Sequence, residues 1–256
     1  MNSVRHLISI CLAGIFLLAH FACSDPINTD PSAGLSGVKE PEDQPDIQHH
    51  PVRSPALLNS DWSATAAIEA LQSIGGKLVQ DEKDPKRPVK EIDLAFLQSR
   101  LTDDQLAAVA GFTDTRHLSL ERTVVSDAGM KHLRLLKNLE SLNLNLTRVT
   151  GKGLANIEGV SKLRLLELSG PRITDHSLKH LPRLPSLEEL RLRNTSVTDR
   201  GLKSIAQFSG LNRLDLEGTQ VTGSGLDDLS HLDLESLNLG HSQITMAGLE
   251  SIRKLS

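Results

Sequence analysis

The chain has 256 residues and a formal net charge of −4, with 28 Lys and Arg against 32 Asp and Glu. Aromatic side chains make up 2 % of it and Tyr is absent, so neither aromatic hot spots nor base-stacking platforms are available on the usual scale. There is no basic stripe of the kind a phosphate backbone requires, and no nucleic-acid partner is expected.

In chain order, Met1 to Cys23 reads as an export signal: Arg5 and His6 precede an apolar run from Leu7 to Phe21 that is short for a membrane span. The two cysteines, Cys11 and Cys23, both lie in or at the edge of this segment, so the remainder holds no internal disulfide. Ala22-Cys23-Ser24-Asp25 resembles a bacterial lipoprotein cleavage site, which implies lipidation at Cys23 and attachment to a membrane. His20 and Phe21 depart from that pattern, and an ordinary signal peptide with an incidental Cys is the other reading. Residues 24–60 carry six acids against Lys39 and Arg53 and six prolines, and read as a disordered tether. His49-His50 within it lacks further metal ligands. Residues 61–88 are expected to form a cap. Trp62, Ile68, Leu71 and Ile74 follow helical spacing, Asp61 or Ser63 offers an N-cap, Gly75-Gly76 a stop and Lys77–Gln80 a strand. Trp62 is expected to pack on the first repeat.

From Val89 to Ser256 one frame recurs every 24 residues. It runs Leu118-x-Leu120-x-x-Thr123-x-Val125-Ser126-Asp127-x-Gly129-Met130, and again Leu190-x-Leu192-x-x-Thr195-x-Val197-Thr198-Asp199-x-Gly201-Leu202. Seven copies begin at Val89, Thr115, Leu139, Leu163, Leu187, Leu211 and Leu234. The first carries a two-residue insertion and the last arrives one residue early. Alternating leucines predict a short strand. The Thr column (Thr123, Thr147, Thr195, Thr219) predicts hydroxyls that satisfy backbone where the chain leaves the sheet, with Pro171 marking an irregularity. Thr102, Ser126, Thr150, Thr174, Thr198, Thr222 and Thr245 fall at helix N-caps. A fixed period of this length means a solenoid in which neighbours bury one another.

The frame resembles the leucine-rich repeat family, in the variety with a Val/Ile-Thr-Asp-x-Gly-Leu helix start found in F-box-type adaptors and exported bacterial proteins. Ile74-Gly75-Gly76-Lys77 is similar to the entry of the bacterial group. The resemblance implies an α/β fold, a right-handed horseshoe or arc with a parallel concave sheet and convex helices. It implies protein binding for function, without cofactor or catalysis.

The sheet face would present Glu167, Glu189, Arg191, Arg193, Arg213, Asp215 and Glu217 as a polar docking surface. The same columns would pair Glu167–Arg191–Asp215, Glu189–Arg213 and Arg193–Glu217, which also describes a self-neutralised, solvated face. His176 and His180 are four apart on a helix without a third ligand, so no metal is expected. Asn145-Leu146-Thr147 and Asn194-Thr195-Ser196 match the glycosylation sequon through residues of the Thr column and read as coincidence. No Ser/His/Asp, Cys/His or paired-carboxylate constellation stands apart from the repeat, so no catalytic residue is expected. The function predicted is an exported, membrane-tethered protein-interaction module with an unidentified protein partner. Two alternatives remain: a self-assembling envelope component, homodimeric through an uncapped C-terminal repeat (residues 234–256), or a secreted effector acting as an adaptor.

Overall fold

A computed structural model of the chain describes residues 9–11 and 63–254. The tether, Asp61, Trp62 and Cys23 lie outside the described residues.

A nine-stranded sheet runs through the described part in the order β1-β9-β8-β7-β6-β5-β4-β3-β2. The repeat strands are β3 (Val89–Asp93), β4 (His117–Ser119), β5 (Ser141–Asn143), β6 (Leu165–Glu167), β7 (Glu189–Arg191), β8 (Arg213–Asp215) and β9 (Ser236–Asn238). Each pairs in parallel with the next, in a register that sets Leu118, Leu142, Leu166, Leu190, Leu214 and Leu237 side by side. All six are buried, as are their partners two residues on, from Leu120 to Leu239. A short strand with one apolar face has no core of its own; stacking supplies it, because each leucine is covered by the leucines of both neighbours.

Ahead of the repeats, helix α1 (Ala64–Ser73) starts at Ser63, whose hydroxyl accepts from the Ala66 N–H at 3.2 Å. Gly75 at φ 100° turns the chain out of the helix, and β2 (Lys77–Gln80) then pairs antiparallel with β3. At the opposite edge, where the repeat pattern leads one to expect open backbone, β1 (Ser9–Cys11) pairs in parallel with β9. The apolar run read as a signal core thus supplies a strand that satisfies the unpaired groups of an edge.

Opposite the sheet the helical turns are shorter and tighter than the apolar spacing predicts. Gln105–Gly111, Gly129–Leu135 and Leu226–Leu229 are 3-10 helices. The α-helices are α2 (Gly151–Leu154, continued as a 3-10 turn), α3 (Asp175–Leu178), α4 (Asp199–Ile205) and α5 (Met246–Lys254). A 24-residue repeat leaves too little chain after strand and turns for long helices. The Thr column behaves as expected: Thr123, Thr195 and Thr219 donate to the carbonyls of Leu120, Leu192 and Leu216 at 2.7–2.8 Å.

The Asp of the helix-start motif does more than favour a helix N-terminus. Asp127 accepts from the Thr150 N–H at 2.6 Å and from the Thr150 hydroxyl at 2.5 Å, one repeat ahead. Asp103 does the same for Ser126, Asp175 for Thr198 and Asp199 for Thr222. The motif Gly belongs to this contact. A Cβ on Gly129 or Gly201 would lie 2.5 Å from the Oδ1 of Asp103 or Asp175, and one on Gly153 would lie closer still to Asp127. Between repeats, the Asp is missing at two positions: after Gly223 the next repeat keeps Gly248, packed directly on it, whereas after Gly151 the next repeat carries Ser177 in place of its Gly. The Ser177 hydroxyl accepts from the Thr174 N–H at 3.3 Å, taking over the task of the absent carboxylate. A Cβ on Gly151 would meet the Ser177 Cα at 2.9 Å, so Asp–Gly and Gly–Ser are two solutions of one packing problem.

Asp127→Gly should therefore destabilise the chain by about 2 kcal/mol, the range for two hydrogen bonds to a charged group. Gly153→Ser should destabilise it through the clash with Asp127. The double variant recreates the Gly151–Ser177 arrangement and should recover on the order of 1 kcal/mol of the summed loss. Urea denaturation of the four proteins checks this; strictly additive losses would refute the pairing.

Candidate functional site

The solvent side of the sheet is set by strand alternation: with the leucines turned inward, the residues on either side of each face out. Three columns result, and their charges concentrate on β6, β7 and β8. Arg191 sits between Glu167, at 3.3 Å, and Glu189, at 2.6 Å. Arg213 reaches Glu189 from the next strand at 2.7 Å. Arg193 holds Asp215 at 2.8 Å through Nε, and Glu217 through its terminal nitrogen. The seven residues predicted from the sequence thus form two adjoining ion-pair clusters, Glu167–Arg191–Glu189–Arg213 and Asp215–Arg193–Glu217, and six of them, all but Glu217, line an open groove of about 520 Å³ with Asn145 and Asn238.

One pairing differs from expectation. Asp215 meets Arg193 on the diagonal instead of Arg191 directly across. Its Oδ1 accepts from the Glu217 N–H at 3.0 Å, which turns the carboxylate toward that end of the strand. Asp93, Asn143 and Asn238 close the same two-residue turn, onto Ala95, Asn145 and Gly240. This column therefore ends strands, a role the sequence reading missed although four Asx residues in seven positions signal it. Glu167 and Arg191 occupy two of the remaining positions, and both carry charge into the centre of the network.

Exposure is uneven across the network. The side chains of Arg191, Arg193 and Arg213 keep 40, 50 and 48 % of their surface, whereas Glu189, Glu167, Asp215 and Glu217 keep 15, 17, 19 and 29 %. A molecule approaching this face meets guanidinium groups underlain by carboxylates. Burial works against the charge of Glu189, but hydrogen bonds from Arg213 and Arg191 outweigh it and hold the carboxyl below its ordinary value of 4.5. At Asp199 burial is likewise outweighed, by donors from Thr222, Gly225 and Gly223, and the carboxyl lies below 3.8.

A second feature lies on the rim, where every repeat leaves the sheet through a residue of left-handed backbone: Phe96, Arg122, Leu146, Gly170, Asn194, Gly218 and His241, at φ 54–109°. Each N–H from Phe96 to Gly218 donates to a carbonyl of the next repeat, as Leu146 does to Ser169 at 3.0 Å. Gly and Asn suit this conformation, whereas a bulky side chain costs about 1–2 kcal/mol there. Phe96 and Leu146 nevertheless occupy it, 59 and 45 % exposed. Beside Leu146, at the irregularity expected from Pro171, a pocket of about 170 Å³ opens between Leu144, Val149, Gly170, Pro171, Arg172 and Ile173.

His176 and His180 meet edge to face with ring centroids 4.6 Å apart, and His180 Nδ1 bonds the His176 carbonyl at 2.8 Å. Among the described residues, no group of three or more His, Cys, Asp or Glu is placed to hold a metal ion. No described helix is long and apolar enough to cross a membrane.

A parallel sheet built one strand per repeat, with short helical turns behind it and a polar face in front, defines a repeat solenoid. The leucine-rich repeat family model matches residues 183–206 and 231–252, and the fold is that of a leucine-rich-repeat solenoid. Leucine-rich-repeat folds are scaffolds for protein interaction, typically without enzymatic activity. No curated protein sequence matches the chain. Among solved structures it is similar to internalin C2 of Listeria monocytogenes, at 26 % identity and TM-score 0.42, over 52 % of this chain and 55 % of that one. It is also similar to the Arabidopsis receptor kinase HAESA, solved with the peptide hormone IDA and the co-receptor SERK1, at 18 % identity and TM-score 0.43, over 67 % of this chain and 29 % of that one. The chain thus spans about half the length of the first and under a third of the second.

The Glu189 network makes stability pH-dependent. A carboxyl held below its ordinary value contributes stability that is complete above that value and is lost as pH falls through the folded one. Thermal stability should therefore decline as pH drops below 4.5 for Glu189 and below 3.8 for Asp199. Glu189→Gln should flatten the upper part of that decline and cost about 1 kcal/mol at pH 7. An unchanged acid limb in melting curves would contradict the assignment.

Proposed function

We propose that the chain is an exported protein-interaction module, tethered to a membrane through Cys23, whose sheet face around Arg191, Arg193 and Arg213 docks a protein partner. The carrying observation is the exposure asymmetry over the 520 Å³ groove: the arginine side chains keep about half their surface and their half-buried counter-charges keep far less. The partner needs no cofactor to bind, and because the surface is held by stacked strands it is preformed, which lowers the ordering cost of association. Export rests on Arg5, His6 and the apolar run, and the tether on Ala22-Cys23-Ser24 followed by an acid- and proline-rich spacer.

Two measurements test this. Arg191→Glu with Arg213→Glu should weaken binding of the partner recovered by crosslinking in the producing cell by at least about tenfold, ~1.4 kcal/mol. Lys179→Glu, on the helical side, should leave it unchanged; equal recovery by all three proteins would sink the sheet-face reading. Intact-mass analysis of the native protein should show an N-terminus at Cys23 carrying acyl mass, lost in Cys23→Ala. An unacylated, soluble product would remove the anchor and favour a secreted binder or effector.

A self-assembling role is favoured by one observation: the edge of β9 accepts a parallel strand, at present Ser9–Cys11. A chain lacking residues 1–23 would expose that edge and should dimerise through residues 234–256. Light scattering at high concentration gives the answer, and a strict monomer would remove the idea.

A further inference from the structure

The rim between Phe96 and Pro171 combines three observations that repeat architecture alone does not require. At a left-handed backbone position where Asn194, Gly170 and Gly218 sit at ease and Arg122 and His241 carry polar side chains, the chain places Phe96 and Leu146, apolar and exposed. Strain of this kind persists only where something else maintains it, and it concentrates at ligand contacts. Secondly, Leu146 lies over Gly170, whose missing side chain makes room: a Cβ there would stand 3.2 Å from Leu146 Cδ2. The result is an open pocket with apolar walls from Leu144, Leu146, Val149, Pro171 and Ile173. Thirdly, the rim carries unpaired positive charge. The Arg122 guanidinium stands 5.4 Å from the centre of the Phe96 ring but is paired with Glu121 at 3.7 Å, so that charge lies on its neighbours. Arg148 and Arg172 are exposed at equivalent positions of adjacent repeats, and neither has an acidic partner among the described residues. Arg172 itself lines the pocket.

From these we infer that the rim from Phe96 to Arg172 is a docking site for a segment of a protein partner in which an apolar side chain is flanked by carboxylates. The apolar side chain enters the pocket beside Leu146, and the carboxylates meet Arg148 and Arg172. Phe96, two repeats away at ~4.8 Å per strand, offers a second apolar contact to the same segment. The Gly170 N–H donates to the Arg193 carbonyl at 3.3 Å, so this site adjoins the sheet-face network. It deepens the protein-binding reading, on which it rests, by naming the chemistry of the partner.

The test is to pan a random dodecapeptide phage library on the full chain and measure the enriched peptides by fluorescence anisotropy. Enriched sequences should carry an aliphatic or aromatic residue between acids. Their affinity should fall at least tenfold on Leu146→Asn and on Arg148→Glu with Arg172→Glu. Leu146→Asn suits left-handed backbone and should melt at or above the parent temperature, so lost binding would not reflect unfolding. Substitution of the peptide's apolar residue by Ser should have the same effect as Leu146→Asn. Peptides lost only on Arg191→Glu with Arg213→Glu would overturn the rim site and leave the sheet-face reading standing. Enrichment without the acidic–apolar pattern, or none, would overturn the rim site; binding indifferent to every variant would overturn both.

Discussion

The structure depends on the distance between consecutive repeats at the start of their helical turns. There, in four of the junctions, the carboxylate of one repeat reaches the backbone N–H of the next, and no Cβ fits between them. Asp103 with Gly129, Asp127 with Gly153, and Asp175 with Gly201 meet this constraint in one way, Gly151 with Ser177 in another. The sheet fixes the spacing on one side at the separation of hydrogen-bonded strands. These contacts fix it on the other, and a solenoid cannot have two different pitches without shearing its leucines out of register. The close approach thus explains why the motif carries an acid and a glycine two residues apart in sequence that act on different neighbours in space.

With the pitch set, the sheet face inherits its chemistry from whatever the repeat does not use. Asx residues that close strands occupy four positions of one column and are structural. Charge gathers where that task lapses, at Glu167 and Arg191. Exposed ion pairs stabilise a fold by only ~0–1 kcal/mol each, so this network is a weak account of stability. It is a better account of presentation: carboxylates held beneath the arginines orient planar, multidentate donors toward solvent.

Much of this was legible in the chain. Period, strand position and the hydroxyl column follow from residues that recur at fixed offsets, and all are local. The N-cap column holds at Thr150, Thr174 and Thr198, whereas the 3-10 turns expected to start at Thr102, Ser126 and Thr222 start after Asp104, Ala128 and Gly225. The pairs Glu189–Arg213 and Glu167–Arg191 were legible too, because parallel register places equal repeat positions side by side. The diagonal Asp215–Arg193 pair was not, since it depends on an Asx turn that reorients one carboxylate. Nor was the Asp-to-Thr contact, because the acid looks adequately explained by the helix start it precedes. Its trace in the chain was a single exchange, of Asp–Gly for Gly–Ser between residues 151 and 177, which Gly223 and Gly248 do not repeat. The length of the helical turns was missed because apolar spacing of three and four residues is shared by α and 3-10 geometry over a single turn.

The rim separates what the repeat requires from what this chain adds. All seven repeats have left-handed backbone at the turn off the sheet, and in the first six the N–H there reaches the carbonyl ahead. Gly and Asn satisfy that need at low cost, and the chain uses them at Gly170, Asn194 and Gly218. Phe96 and Leu146 satisfy it at higher cost and recover only part of it through packing, since 59 and 45 % of their surface stays exposed. Stability alone does not maintain such residues against the Asn that a neighbouring repeat already carries. Their apolar surface, next to unpaired arginines and a pocket that Pro171 opens, is what the added strain retains.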